Sequence, residues 1–114
     1  MSAEKKLSSL EVIKVRRAPE TLTAEDRAQS CERIKTHLLG VLREMLVHPE
    51  KVSVEWTLGE QTSIFQIDIA FSDYGRLVGA KGKNISALRT IVLSMSAAKG
   101  HRSVLSIKDE EKYF

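Results

Sequence analysis

Between residues 24 and 46 the positions Ala28, Cys31, Ile34, Leu38, Val41, Leu42, Met45 and Leu46 recur at intervals of three and four. That period puts them on one buried face of a helix. Thr23 stands three residues before Asp26 and supplies an N-cap, while Glu25 and Asp26 place negative charge in the first turn, where the helix dipole favours it. His48-Pro49 stops the helix. Val52, Val54 and Trp56 then alternate with Ser53, Glu55 and Thr57, the period of a half-buried strand. After a turn around Leu58-Gly59-Glu60 the alternation resumes from Ser63 to Phe71. Phe65, Ile67, Ile69 and Phe71 share one side, Gln66 and Asp68 the other, which predicts an antiparallel hairpin with one polar sheet face.

A short helix is expected from Tyr74 to Val78, capped by Ser72 or Asp73 and ended by Gly79-Ala80-Lys81-Gly82. Lys83 to Ala98 forms a longer helix with Ile85, Leu88, Val92 and Met95 inward, and Gly100 provides its C-cap. Ser103 to Lys108 supplies a last strand with Leu105 and Ile107 inward; Asp109-Glu110-Glu111 reads as a solvated acidic tail. The order helix, strand, strand, short helix, loop, helix, strand predicts an α+β domain, a three-stranded sheet covered on one face by helices. The domain is placed at 23–108, with an extension at 1–22 and the tail at 109–114. In the extension, Leu7, Leu10, Val12, Ile13 and Val15 sit among Lys14, Arg16 and Arg17, which fits a short edge strand, a docking arm or a disordered tail. Ala18-Pro19 reads as a connector.

Composition narrows the function. A chain of 114 residues is one domain by size. It has no apolar run near the roughly 18 residues of a membrane span, and Met1 to Lys6 lead into no apolar signal segment, so a cytoplasmic protein without a membrane partner is expected. One cysteine, Cys31, excludes an internal disulfide or a cysteine-rich zinc cluster, and it lies on the apolar stripe. His37, His48 and His101 offer no ligand spacing, and neither metal nor cofactor is expected.

The net charge of +3 conceals an asymmetry. Residues 74 to 108 hold seven bases, Arg76, Lys81, Lys83, Arg89, Lys99, Arg102 and Lys108, and no acid. These are expected to surround the glycine loop, and a field of one sign favours a polyanion as partner. The loop itself has the chemistry to meet one. Glycine tolerates positive φ and close backbone approach, and the helix that follows offers free N–H groups and the positive end of its dipole. Other phosphate motifs fail. The P-loop pattern lacks its first glycine, because Leu77 stands there, and its Ser/Thr, because Asn84 follows Lys83; the dinucleotide fingerprint lacks Gly-x-Gly and a preceding strand. No paired carboxylates or nucleophile-base set is present, so an enzyme is not expected.

The run Gly75-Arg76-Leu77-Val78-Gly79-Ala80-Lys81-Gly82-Lys83-Asn84-Ile85-Ser86-Ala87-Leu88-Arg89-Thr90 resembles the signature of K-homology (KH) RNA-binding domains, and the element order resembles their type II arrangement, α-β-β-α-α-β. The resemblance spans about residues 30 to 108. His48-Pro49-Glu50 and Ala87-Leu88-Arg89-Thr90 are similar, more narrowly, to the small bacterial single-KH proteins. In KH domains the Gly-x-x-Gly loop clamps about four nucleotides of a single strand. The resemblance thus implies phosphate contact by Gly79, Ala80, Lys81 and Gly82, with charge added by Arg76, Lys83 and Arg89. It implies an apolar groove floor from Val78 and Ile85, with Ile69 or Phe71. Arg89 also reads as a structural ion-pair partner, and the apolar four equally as ordinary core. Ala80 departs from the base that many KH loops carry, and residues 1–22 exceed the compact family size. Single-stranded RNA is the implied ligand, bound by an RNA chaperone or regulatory protein. A homodimer, or a heteromer with a larger KH-containing protein of the Jag type, is the implied assembly. The alternative is a KH-shaped protein-interaction module without nucleic-acid binding, against which Lys81, Lys83 and both glycines speak.

Overall fold

Thr23 and Asp26 satisfy each other at the start of helix α1 (Ala24–Met45). Thr23 Oγ1 accepts from the Asp26 N–H at 3.0 Å, and the Asp26 carboxylate accepts from the Thr23 N–H at 3.3 Å. This reciprocal cap occupies N–H groups that a helix start leaves without partners. The computed structural model describes residues 22–114, so the extension and its Ala18-Pro19 connector lie, Leu22 apart, outside the described residues. Along α1, Cys31, Ile34, Leu38, Leu42 and the capping Leu46 are buried, whereas Val41, expected on the same stripe, is exposed. Each residue turns the helix by about 100°, so Leu42 takes the inward direction and Val41 is carried out of it.

Strands β1 (Ser53–Leu58) and β2 (Thr62–Asp68) form the expected antiparallel hairpin, with Val54 opposite Ile67 and Trp56 opposite Phe65. Strand β3 (Arg102–Ile107) lies parallel to β2, giving the order β1-β2-β3. Parallel neighbours need a long crossover. Here it consists of α2 (Tyr74–Val78), the glycine loop and α3 (Lys83–Ala98). α3 ends at Gly100, which has φ +86. The N–H of Gly100 bonds to the Ala97 carbonyl at 3.0 Å and that of His101 to the Ser96 carbonyl at 3.1 Å, a complete Schellman cap that reverses the chain into β3.

The helices cover one sheet face. Val54, Phe65, Ile67, Leu105 and Ile107 lie beneath Ile34, Leu38 and Leu42 of α1 and Ile85, Leu88 and Val92 of α3, in one core that also takes Leu77 from α2. The fold is α+β with a mixed three-stranded sheet, the type II KH arrangement. Trp56 Nε1 donates to Glu32 at 2.8 Å, and Arg27 donates to the Gly59 and Glu60 carbonyls at 3.0 and 3.3 Å, so polar contacts fix α1 against the hairpin. His101 is buried against Ser30, 2.9 Å away, and burial pushes its pKa down.

Three further expectations differ from the structure. β2 stops at Asp68 rather than Phe71: β3 ends opposite Ile67, and a single 3₁₀ turn, Phe71–Asp73, turns the chain toward α2. Alternation continues through Ile69 and Phe71 although the sheet has no further partner to offer. The outer sheet face is not uniformly polar, because Ile64 and Val104, neighbours in register, are both exposed on it. Asp109 and Glu111 at the acidic end are exposed, but the segment is not a free tail. Residues Glu110–Tyr113 make a 3₁₀ turn that returns to α2: the Tyr113 ring stacks on that of Tyr74 at 4.4 Å, and Tyr74 Oη donates to Glu110 at 2.7 Å. That hydrogen bond to a carboxylate raises the Tyr74 pKa.

Candidate nucleic-acid interface

The bend between α2 and α3 is made by four residues, three of them with positive φ. Gly79 has φ +79, Lys81 +58 and Gly82 +74. The two glycines serve different needs. A Cβ on Gly79 would stand 2.7 Å from Cγ of Asn84, so its bare Cα lets that side chain pass. Asn84 then donates to the Arg76 carbonyl at 2.9 Å, closing the C-terminal end of α2. A Cβ on Gly82 would meet nothing within 4 Å, so there the open space faces outward. Gly82 is also the N-cap of α3, with no side chain folded over the helix start and no acid in its first turn. The positive end of a 16-residue helix is thereby left uncovered. Lys81 holds a left-handed backbone that costs a non-glycine residue about 1–3 kcal/mol, a strain with no signal in the sequence.

Ala80, Lys81 and Lys83 are exposed, and Arg76 is exposed one turn before the bend. Val78 is half-buried and packs against the core, while Ile85 and Ile69 are buried within it. Phe71 stands apart, on the 3₁₀ turn and 67% exposed. Arg89 Nε donates to the Leu105 carbonyl at 3.2 Å, which ties α3 to the edge strand β3. The seven bases do not encircle the loop. α3 is about 24 Å long, so Lys99 and Arg102 lie at its far end, and Lys108 pairs with Glu55 at 3.9 Å. Arg76, Lys81 and Lys83 remain beside the bend, and proximity in sequence overstates the field.

Residues without a signal in the sequence build the neighbouring wall. Asp73 does not cap α2. It is 1% exposed, and its carboxylate oxygens accept from the N–H groups of Val47 at 3.1 Å and His48 at 3.0 Å, pinning the exit of α1 beside the loop. A cleft of about 600 Å³ lies between this exit and the bend, with Arg76, Gly79 and Asn84 on its far side. His48-Pro49-Glu50 is therefore structural, carrying the backbone past Asp73 and into a 3₁₀ turn, Pro49–Lys51. Among the described residues no group of three His, Cys, Asp or Glu could hold a metal ion, and no helix is long and apolar enough to cross a membrane.

The family model described as KhpA/KhpB, KH domain matches residues 35–107, well over half of the chain. The chain belongs to the KhpA/KhpB KH-domain family. It is 28% identical over 78 residues to the RNA-binding protein KhpA of Chlamydia pneumoniae, covering 68% of this chain and 100% of that protein. The KhpA of Clostridium acetobutylicum is 31% identical over 71 residues, 61% of this chain and 95% of its own length. That of Streptococcus pneumoniae serotype 4 is 26% identical over 78 residues, with 68% and 96% covered. The matched KhpA/KhpB region contains the whole of the bend, both flanking helices and the three strands.

Proposed function

We propose that this protein binds single-stranded RNA with little base preference, seating backbone phosphates on the main chain of Gly79, Ala80, Lys81 and Gly82. The observation that carries this reading is the bend itself, an exposed and acid-free turn that opens outward at Gly82 and leads into an uncovered helix start. Arg76 and Lys83 add charge beside it. Arg89 has a smaller share, since its guanidinium already serves Leu105. Val78 and Ile85 support the loop from beneath, and bases lie over the surface they underpin. Relatives named RNA-binding proteins support the same ligand.

The protein acts by binding alone, without catalysis, as a cytoplasmic RNA chaperone or regulatory RNA-binding protein. One module gripping about four nucleotides holds RNA weakly. A second module on the same strand, from a second copy or from a larger KH-containing protein of the Jag type, raises the avidity. The pairing of KhpA and KhpB in the family's description supports a heteromer.

About three neutralised phosphates give a salt slope near −2 in log affinity against log salt, at roughly −0.7 per contact for a single strand. Fluorescence anisotropy with matched single-stranded RNA, single-stranded DNA and duplex RNA at several salt concentrations tests this. Saturable binding of the single strand with that slope is expected. Preference for the duplex, or no binding even at low salt, contradicts the reading.

A further inference from the structure

The chain has one tryptophan, two tyrosines and three phenylalanines, and both tyrosines and two of the phenylalanines meet on a single surface. Tyr113 stacks on Tyr74 at 4.4 Å and on Phe71 at 5.4 Å, and Phe114 meets Tyr74 edge-on at 5.9 Å. Polar contacts hold the cluster in place. Besides the bond from Tyr74 to Glu110, Lys112 reaches Asp68 at 3.3 Å and Tyr113 Oη donates to the Ile69 carbonyl at 3.4 Å. Despite this order, Phe71 is 67% and Phe114 89% exposed. Fixed aromatic rings facing water are a ready surface for a flat π-partner.

Position selects the partner. Tyr74 opens α2 and Gly79 follows its last residue, about 7.5 Å away along the helix axis. An RNA strand advances roughly 3.4 Å per nucleotide even when stacked, so about two or three nucleotides beyond the segment held at the loop reach the cluster. We propose, resting on the RNA-binding reading above, that the exposed rings of Phe71 and Phe114 stack unpaired nucleobases flanking the segment held by the loop. The family match ends at residue 107, so Tyr113 and Phe114 lie outside the matched region. Charge does not draw the strand to this end: Lys108 pairs with Glu55 and Lys112 with Asp68, and Asp109, Glu110 and Glu111 add three acids to the same segment. The platform therefore acts through stacking, which salt screens little, in contrast to the loop.

The test is the double variant Phe71→Leu, Phe114→Leu, in which leucine keeps apolar volume and removes the ring faces. Affinities for a fluorescent uridine tetranucleotide and octanucleotide are compared with those of the unaltered protein. The variant should lose about five- to tenfold on the octanucleotide and little on the tetranucleotide, with the salt slope unchanged. Ultraviolet crosslinking of the unaltered protein to the octanucleotide should place adducts on the peptides carrying Phe71 or Phe114. Equal octanucleotide affinities, or adducts confined to residues near the glycine loop, overturn the platform and leave the loop's role standing. Absence of RNA binding by the unaltered protein overturns both.

Discussion

Replacing Ala80 and Lys81 together by aspartate should abolish saturable RNA binding, a loss of more than about a hundredfold, while the far-ultraviolet circular dichroism stays that of the unaltered protein. The prediction follows from exposure and charge. Both side chains point away from the core, so the substitution leaves packing untouched. It exchanges one cation for two anions at a place where phosphates would lie a few ångströms away, and like charges at that range repel by about 1 kcal/mol even in bulk water, more near a protein surface. Lys81 also sits at φ +58, a region that aspartate tolerates, so the backbone of the bend should survive. Retained affinity would mean that RNA binds elsewhere or not at all.

Asp73→Ala should cost about 3 kcal/mol of folding stability, read as a lower urea midpoint with an unchanged slope. The carboxylate is 1% exposed, and it is the acceptor for two backbone N–H groups, those of Val47 and His48. Removing it strands both donors, each bonded to a charged group and each worth about 1.5–3 kcal/mol. For a domain of this size, with a total stability of about 5–15 kcal/mol, that is a large fraction. The exit of α1 also forms one wall of the cleft beside Gly79, so RNA affinity should fall with stability. Asp73→Asn should be nearly as damaging, because an amide offers one oxygen where the carboxylate offers two. A midpoint unchanged within error would show that water replaces the carboxylate.

The same residue shows where sequence reading ends. The three helices are legible because periodicity, capping residues and glycines are local signals: α1 starts after Thr23, α2 spans Tyr74–Val78 and α3 spans Lys83–Ala98 as the pattern indicates. The order of elements then follows. Asp73, however, reads as a cap for the nearest helix, since a sequence displays only local partners. Its actual partners lie 25 and 26 residues earlier. Asn84 escapes notice for a similar reason, although an amide side chain just after a Gly-x-x-Gly turn is well placed to reach back to the preceding helix. The end of β2 is hidden because alternation continues through Phe71, while the strand's length is set by β3. Charge suffers the opposite error: seven bases adjacent in the chain are spread over both ends of a helix about 24 Å long.

The most direct measurement is a titration of ¹⁵N-labelled protein with single-stranded RNA, following the backbone amide resonances. The largest, saturable shifts are expected at Gly79, Ala80, Lys81, Gly82 and the first turn of α3, with the outer sheet face around Ile64 and Val104 unmoved. Shifts centred on that outer face, with the glycine-loop amides unchanged at saturation, would contradict this placement.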